Sequence, residues 1–305
     1  AAMTTLSLDL SALRERYVAA LLAHPVVATI SHSDGTAPVL LEQVYVRRTV
    51  LHEVKEKQSP ESGSPGAARE VLVKRPAQLW AKLRDDRVVL IEGPAGMGKS
   101  TLSKHLVRES LTQDWRLPIW IPFHRFAASQ LPLHEYLDQI YVPELGLGAI
   151  RVTDQDDVTT SLPLGQLLHG QWRGGLGLLI LDGLDEVFDP QERSAALDRL
   201  HLQGTGRDRP VTILTSRPLG HEIPIEVVKT ELQALTPTEQ DQLLEGYRGI
   251  VQMSDTEFQT LKQQAHASST NSELMSRPGH LVQTLGFLQS TGLCLEQRQY
   301  CSGIC

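Results

Sequence analysis

One stretch of this sequence combines residue types and a spacing that can bind phosphate groups. Residues 93–101 read GPAGMGKST, in which Gly93, Gly98, Lys99 and Ser100 match the pattern G-x-x-x-x-G-K-[ST]. Glycines allow the backbone to turn tightly, so that its N–H groups point at phosphate oxygens. The Lys99 ammonium would place its charge on the β- and γ-phosphates, and the Ser100 hydroxyl would ligate Mg²⁺.

The surroundings of this stretch strengthen the interpretation. It directly follows the apolar run of residues 88–92 and precedes a segment with helical spacing at about residues 99–111, as a phosphate-binding loop (P-loop) requires. A helix N-terminus at this point would add N–H donors and a partial positive charge. We predict that nucleotide is bound by the whole loop: Gly93, Pro94, Ala95, Gly96, Met97, Gly98, Lys99, Ser100 and Thr101.

A second group of chemically capable residues follows another apolar run. Residues 176–181 (LGLLIL) lead into Asp182, and Asp185 and Glu186 come shortly after. We predict that Asp182 holds Mg²⁺, directly or through a water molecule. Glu186 is the first candidate to orient and deprotonate an attacking water, and Asp185 is the second. Alternatively, Asp185 and Glu186 cap the helix that follows, since acidic residues stabilise a helix first turn.

A cation is predicted at the same edge of the fold. The run VTILTSRP places Arg217 just after the strand predicted at residues 211–215. Ligands of open α/β sheets bind at the carboxyl ends of the strands. A guanidinium there would contact a γ-phosphate and so distinguish a triphosphate from a diphosphate. The alternative is a surface arginine that pairs with a nearby acid.

The elements that would position these residues are apolar runs separated by helical segments. Continuous apolar runs indicate strands covered on both faces, and their alternation with helices indicates a parallel sheet. The predicted fold is therefore α/β, a P-loop NTPase with a parallel five-stranded sheet followed by a small all-helical subdomain. The predicted strands are residues 88–92, 117–123, 176–181, 211–215 and 225–229, and the predicted helices of the subdomain are residues 237–249, 255–268 and 278–290.

The N-terminal part lacks a chemical motif. It has helical spacing at residues 11–23, and residues 39–51 are predicted to be a strand or an extended packing arm. We predict five segments: 1–54 helical and extended, 55–70 a flexible linker or loop, 71–230 the NTPase core, 231–290 the helical subdomain and 291–305 an irregular tail.

Composition limits the possible functions. The 305 residues carry a formal net charge of −7, which argues against a protein whose main ligand is nucleic acid. The three cysteines fall in the last twelve positions and form no disulfide framework. Because no histidine has a metal-like spacing, nucleotide-bound Mg²⁺ is the only metal that we predict. The sequence contains no membrane-spanning run and no signal peptide pattern, so we expect a cytoplasmic protein.

Together the motifs resemble a known family. GPAGMGKST, ILDGLDE and TSRP, in this order and at this spacing, resemble the NACHT group of signal-transduction NTPases, which belong to the STAND class. The resemblance covers roughly residues 40–290, with LEQVYVRRTV upstream and SRPGHLVQTLGFL downstream. It implies that Pro278 packs on the adenine base, although Gly279 and His280 follow this proline in place of the usual leucine.

The resemblance also implies a switch. In such proteins ADP holds a closed monomer, ATP favours an open form that oligomerises, and effector and sensor domains flank the NTPase. The chain ends about where the family's winged-helix domain begins, so we expect a fragment that lacks the winged-helix histidine holding the diphosphate form. The implied role is a bacterial-type defence or regulatory protein that binds ATP or ADP and hydrolyses ATP slowly. Nothing in the motifs excludes GTP.

Three alternatives stay open. The chain could be a non-hydrolysing nucleotide-binding assembly module, a small-molecule kinase, or a AAA-type motor. A kinase needs a lid rich in arginines, and a motor needs an arginine after the fourth strand. The candidate arginines for a lid are scattered without forming a cluster: Arg173, Arg193, Arg199, Arg207 and Arg209. For the arginine finger of a motor, Arg207 and Arg209 come just before the fourth strand instead of after it. Four aromatic residues are interpreted as core packing rather than as a base-stacking platform: Trp115, Trp120, Phe123 and Phe126.

Overall fold

Strands and helices alternate along most of the chain. The computed structural model describes residues 10–30, 38–48, 50–58, 69–77, 79, 83, 87–112, 116–153, 159–202, 209–218, 223–250, 254–266 and 276–282. These residues belong to two compact units, and each unit is built from three separated stretches. The first unit draws on residues 1–28, 79–91 and 106–229, and the second on residues 29–78, 92–105 and 230–305.

The helices and strands have the following bounds. The α-helices are α1 (Leu10–Ala23), α2 (Pro25–Ala28), α3 (Leu41–Val44), α4 (Lys99–Thr112), α5 (Phe123–Ser129), α6 (Leu133–Tyr136), α7 (Val142–Glu144), α8 (Leu164–Arg173), α9 (Pro190–Asp198), α10 (Pro237–Arg248) and α11 (Asp255–His266). A π-helical turn covers Leu137–Tyr141, and a 3₁₀ turn covers Leu184–Glu186. The strands are β1 (Thr29–Ile30), β2 (Val39–Leu40), β3 (Val50–Gln58), β4 (Arg69–Ala77), β5 (Val88–Glu92), β6 (Leu117–Pro122), β7 (Ile150–Thr153), β8 (Thr159–Leu162), β9 (Gly177–Asp182), β10 (Val211–Ser216) and β11 (Val228–Leu232).

The first unit is built around a buried parallel sheet. Strand β9 pairs in parallel with both β6 and β10, and the register places Pro122 beside Asp182. Strand β5 is the neighbour of β10, and the N–H of Thr212 donates to the carbonyl of Arg87 over 2.8 Å. Every residue of β9 and β10 is buried. Burial on both faces explains why these strands are mostly apolar. The parallel pairing of strands that alternate with helices confirms the predicted α/β class.

Buried polar side chains tie α1 and α8 to this sheet. The Tyr17 hydroxyl donates to the carbonyl of Pro118 over 2.6 Å and contacts the Tyr141 hydroxyl at 3.0 Å. Burial raises the pKa of Tyr141 to about 12. The indole N–H of Trp172 donates to the carbonyl of Val211 over 3.1 Å. Each of these bonds satisfies a polar group that would be costly to bury alone.

The second unit contains an antiparallel pairing that the sequence pattern does not predict. Strands β3 and β4 pair along their whole length, and β11 pairs antiparallel with β3, Leu232 lying opposite Val50. Residues 55–58 and 69–70, predicted to be a linker or loop, thus belong to strands, and residues 59–68 lie outside the described residues. The linker prediction was wrong for these strand residues. The pairing uses backbone hydrogen bonds, which apolar patterns do not reveal.

Two other predictions need correction. The fifth strand runs from Val228 to Leu232, three residues later than predicted, and with β3 and β4 the strand count exceeds the predicted five. Within residues 39–51 the predicted strand is interrupted, because Val39 and Leu40 form β2, α3 covers Leu41–Val44, and β3 begins only at Val50. Leu41 and Val44 are buried one helical turn apart, so the middle of this apolar run is an amphipathic helical turn between two strands.

The helical subdomain belongs to the second unit. A capping box begins α10, because the Thr236 hydroxyl accepts from the N–H of Glu239 and the Glu239 carboxylate accepts from the N–H of Thr236. Residues 278–282 are also helical, and residues 283–290 lie outside the described residues. The helices pack with the N-terminal segment in one apolar cluster: Val39, Val44, Val46, Leu235, Leu243, Leu244, Tyr247, Phe258 and Leu281. Among the described residues, no helix is long and apolar enough to cross a membrane.

Candidate functional site

The phosphate loop, residues 93–101, lies in the second unit and adopts the backbone that its glycines permit. Gly96 and Gly98 have positive φ angles of 76° and 83°. A residue with a side chain is strained in this left-handed conformation, whereas glycine is not. Helix α4 begins at Lys99, and the N–H of Leu102 donates to the carbonyl of Gly98 over 2.9 Å. The loop therefore opens directly into a helix N-terminus, which favours anions.

The charged group of the loop is held inside the turn. The Lys99 ammonium donates to the carbonyl of Gly93 over 2.6 Å and to that of Pro94 over 3.0 Å. Met97 is buried and anchors the loop, while Ser100 is exposed. A cation, an exposed hydroxyl and a helix N-terminus thus meet within one turn of chain. These are the groups that bind the phosphates of a nucleotide and its Mg²⁺.

Pro278 and Gly279 pack directly against this loop. The N–H of Gly279 donates to the carbonyl of Gly96 over 2.8 Å. A Cβ atom added to Gly279 would come within 2.9 Å of the Gly96 Cα, so only glycine fits. The ring of Pro278 lies 3.6 Å from the position of a Cβ atom on Gly98. The proline predicted to pack on adenine is therefore placed beside the phosphate loop, and Gly279 is a loop contact that the sequence did not predict.

In the first unit, the acidic strand end (residues 182–186) follows β9. Asp182 is 8% exposed, and its Oδ1 accepts a hydrogen bond from the Thr215 hydroxyl over 2.7 Å. The same hydroxyl oxygen accepts from the N–H of Gly183 over 2.9 Å. Thr215 thus fixes the orientation of the Asp182 carboxylate. Within the described residues, Asp182 Oδ2 has no protein hydrogen bond, which suits an Mg²⁺ ion held through one carboxylate oxygen or a water.

Asp185 is engaged by Arg217. The carboxylate accepts from the backbone N–H of Arg217 over 2.9 Å at Oδ1 and contacts the guanidinium Nε at 3.0 Å through Oδ2. Both oxygens of Asp185 therefore have a cationic or N–H partner on the same residue. This leaves Asp185 poorly suited to accept a proton from water. The two predicted site residues are brought together as an ion pair, which was the alternative interpretation of Arg217.

Glu186 has different surroundings. Its Oε2 lies 2.6 Å from the Nδ1 of His124, and the two side chains are 52% and 50% exposed. The carboxylate extends over Gly183, where an added Cβ atom would lie 2.8 Å from Cδ and 2.9 Å from Oε1. Gly183 has a φ of 80° and no side chain, which leaves room for this placement. Glu186 is thus a solvent-accessible carboxylate held at one oxygen.

The helix that follows is capped by another acid. The Asp189 carboxylate accepts from the N–H of Gln191 over 2.9 Å at the start of α9. Asp185 and Glu186 lie in the 3₁₀ turn upstream of this cap. The interpretation that these two residues serve only as helix caps is therefore wrong.

The scattered arginines and the aromatic residues mostly have structural surroundings. Each described arginine of that set donates to at least one backbone carbonyl: Arg173 to His201, Arg193 to Val187, Arg199 to Phe126 and Ala127, and Arg209 to Leu202 and Glu226. Burial lowers the pKa of Arg209. Three aromatic residues are buried in the core, as predicted: Trp120, Phe123 and Phe126. Arg207 and Trp115 lie outside the described residues.

Sequence reasoning missed His124 and Thr215. Each is a polar residue at or just past the end of a buried strand, and parallel strands bring such ends together. That position is the one signal that could have identified them. In the part of the chain that the structure describes, no group of three or more His, Cys, Asp or Glu side chains is arranged to hold a metal ion.

The comparisons with known proteins identify the family of this chain. The NACHT domain model matches residues 87–248, which is more than half of the chain. The match includes the phosphate loop, the acidic strand end and Arg217. The chain belongs to the NACHT family of P-loop NTPases, and the family prediction is confirmed.

Several solved structures are similar to this chain at low identity. AMPPCP-bound DnaA from Aquifex aeolicus is 13% identical with a TM-score of 0.38, and the match covers 71% of this chain and 61% of that one. Domain III of DnaA from Thermotoga maritima is 12% identical with a TM-score of 0.38, covering 69% and 81%. A STAND protein with a tetratricopeptide repeat sensor from Pyrococcus horikoshii is 18% identical with a TM-score of 0.30, covering 61% and 26%.

This chain therefore spans less than two thirds of the Aquifex and Pyrococcus proteins. A search of curated protein sequences found no match.

Proposed function

We propose that this chain binds ATP and ADP with Mg²⁺, hydrolyses ATP slowly, and works as an ADP/ATP-controlled oligomerisation switch. Residues 93–101 contact the phosphates, and Lys99 neutralises the β- and γ-oxygens. Ser100 and Asp182 hold Mg²⁺, which neutralises developing charge on the phosphates when it is bound. Glu186 is the general base, Arg217 contacts the γ-phosphate, and Pro278 contacts the base of the nucleotide.

The observation that carries this proposal is the phosphate loop. Its two glycines with positive φ, its held lysine and its helix N-terminus form a backbone anion site within nine consecutive residues. Membership of the NACHT family supports a nucleotide as the anion. GTP shares the same phosphates, so the choice between adenine and guanine is a matter for measurement.

The acidic strand end supports hydrolysis over simple binding. Asp182 is buried and bonded to Thr215, as suits a metal-binding carboxylate. Glu186 is half exposed and has one oxygen bonded to His124, as suits a base that must reach water. Arg217 contacts both oxygens of Asp185, which supports Glu186 over Asp185 as the proposed base.

Two substitutions test this function, each measured by nucleotide affinity and by phosphate release. We expect Lys99→Ala to abolish nucleotide binding, because the ammonium is the only side-chain cation of the loop. Glu186→Gln should keep the affinity of the wild-type chain and reduce turnover by a factor on the order of 10² to 10⁴, the usual contribution of a general base. Wild-type affinity in Lys99→Ala would contradict the phosphate-loop assignment.

The second candidate, a non-hydrolysing assembly module, predicts a different result for the same pair of variants. In such a module Glu186→Gln would leave both affinity and the low phosphate release unchanged. The structural observation in its favour is that the Glu186 carboxylate already has a hydrogen-bond partner in His124. Turnover that depends on Glu186 would exclude the module.

The switch itself is tested by size. The nucleotide retained by the purified chain is identified after denaturation of one sample. In a second, native sample the elution volume of the chain on a size-exclusion column is compared in ADP-Mg²⁺ and in ATP-Mg²⁺. Co-purified ADP, with a larger species in ATP, is the expected result. A chain that stays monomeric in ATP contradicts an oligomerisation switch within these residues and leaves the ATPase proposal to the tests above.

The wider role follows from the family. We propose a regulatory or defence protein of the cytoplasm whose partners are further copies of itself together with effector and sensor domains or proteins. NACHT membership supports the signalling part of this role. Neither nucleic acid nor membrane is proposed as its main ligand.

A further inference from the structure

His124 lies where two parallel strands end side by side. The pairing of β6 with β9 places Pro122 next to Asp182 in register. His124 follows Pro122 by two residues, and Glu186 follows Asp182 by four, so both side chains emerge beyond the same edge of the sheet. The Nδ1 of His124 is 2.6 Å from the Oε2 of Glu186.

His124 lies in the first turn of a helix that is packed into the core. Helix α5 begins at Phe123, and Phe123, Phe126 and Ala127 are all buried, which anchors the first turn of the helix in the core. The imidazole itself is half exposed and projects from this anchored turn. The backbone of His124 is thus held by packing, while its ring is available to the carboxylate.

The hydrogen bond has one possible direction when the carboxylate is ionised. A carboxylate only accepts, so His124 Nδ1 carries the hydrogen and donates it to Oε2 of Glu186. The second oxygen, Oε1, lies over the backbone of Gly183. The Glu186 carboxylate is therefore held by the hydrogen bond from His124 at Oε2 and by packing on Gly183 at Oε1.

We propose that His124 is a positioning residue for hydrolysis, which acts by orienting the carboxylate of Glu186. This inference rests on the proposed function. In the step that it assists, a water proton moves to Oε1 of Glu186 and the water oxygen bonds to the γ-phosphorus. The bond from that phosphorus to the β–γ bridging oxygen breaks, ADP and phosphate leave, and Glu186 returns its proton to solvent. A base oriented by a third group is a recurring arrangement in such sites.

A purely structural role for this pair would look different. Exposed ion pairs contribute little to folding stability, because they are solvated and flexible. A side chain that orients a base instead acts on the rate of the chemical step and leaves binding alone. The distinction can be measured as a change in kcat without a change in KM.

The test compares four chains for nucleotide affinity, KM and kcat. We expect His124→Ala to lower kcat on the order of tenfold, with affinity and KM unchanged, because a misplaced base loses its alignment. His124→Asn should recover most of the loss, since its side-chain amide can donate from nearly the place of Nδ1. His134→Ala is the matched control: it removes another half-exposed histidine, from α6, and should behave as wild type.

A double variant shows whether His124 acts through Glu186. Combined with Glu186→Gln, His124→Ala should cause no further loss, because the base that it orients has already been disabled. If the losses of kcat in the two single variants multiply in the double variant, the inference is overturned. It is also overturned if turnover depends on Glu186 but is unchanged by His124→Ala. A wild-type chain without turnover, or turnover unaffected by Glu186→Gln, overturns the proposed function itself and this inference with it.

Discussion

The phosphate loop and the acidic strand end are built by opposite means. In the loop, the residues are consecutive, and the hydrogen bond from Lys99 to Gly93 spans six positions. At the acidic strand end, Thr215 bonds to Asp182 from 33 positions away, and His124 to Glu186 from 62. The first region depends on backbone conformation. The second depends on side chains that three strand ends bring together.

This difference determines what each region tolerates. A backbone site fails when a side chain is added, because its geometry depends on φ angles that only glycine adopts freely. A side-chain network fails when a hydroxyl is removed, because the buried partners of that hydroxyl lose their hydrogen bonds. Opposite substitutions should therefore disable the two regions.

The largest effect is expected from Gly98→Ala in the loop. Gly98 has a φ of 83°, which strains any residue with a Cβ atom, whereas the nearest atom to an added Cβ is 3.6 Å away. Strain rather than crowding should thus displace the loop N–H groups. We expect nucleotide affinity, measured by titration, to fall on the order of a hundredfold, as such sites depend on oriented donors.

Gly146→Ala is the matched control for this prediction. Gly146 has a φ of 69° in an exposed turn of the first unit, and an added Cβ atom would meet nothing within 4 Å. It bears the same backbone strain, about 1–2 kcal/mol, away from the phosphate loop. Equal losses of affinity in the two variants would show that the effect is global instability.

A smaller effect is expected from Thr215→Val at the acidic strand end. Valine has nearly the shape of threonine, but it leaves the N–H of Gly183 and Oδ1 of Asp182 without their partner. We expect the free energy of unfolding to fall by about 2–3 kcal/mol, measured by urea denaturation, and turnover to fall with it.

Two controls separate the contributions. Thr215→Ser keeps the hydroxyl and should retain turnover. Thr212→Val removes another buried hydroxyl of the same strand, one that accepts from the Trp172 indole N–H and donates to the carbonyl of Pro210. This variant should lower stability without a specific loss of turnover. A stable Thr215→Val chain with full turnover would mean that the Asp182 carboxylate needs no support.

The same contrast explains what the sequence alone predicts. The phosphate loop is contiguous, so its residues and its glycine conformations follow from nine letters. The buried strands are similarly evident, since residues covered on both faces must be apolar. Asp182 was found because it ends such a strand. His124 and Thr215 were missed because their importance depends on which strand ends are neighbours. A local sequence pattern does not reveal the order of the strands in the sheet.

Strands β3 and β4 illustrate a second limit. The segment KEKQ at the end of β3 is polar, and the composition around it is typical of a loop. Its structure comes from backbone pairing with β4, nine residues against nine. Backbone hydrogen bonds do not depend on side-chain type, so neither apolar periodicity nor turn residues reveal them.

The smallest effect is expected from Arg217→Ala. This variant tests whether Arg217 contacts the γ-phosphate or serves only as the ion-pair partner of Asp185. The Arg217 side chain is 61% exposed and that of Asp185 is 16% exposed, and an ion pair that solvent reaches from the arginine side contributes about 1 kcal/mol to stability. In the alanine variant the backbone N–H of residue 217 still donates to Asp185 Oδ1, so the turn should keep its shape. We therefore expect nearly unchanged unfolding.

The preference for ATP over ADP, measured as a ratio of dissociation constants, should fall several-fold in the same variant if the guanidinium contacts the γ-phosphate. Arg217→Lys keeps the charge but not the planar fork, so it should recover only part of the preference. An unchanged ratio in Arg217→Ala would leave Arg217 as a partner of Asp185 alone. Discrimination between the nucleotides would then rest with the phosphate loop, and the acidic strand end would act on turnover but not on recognition.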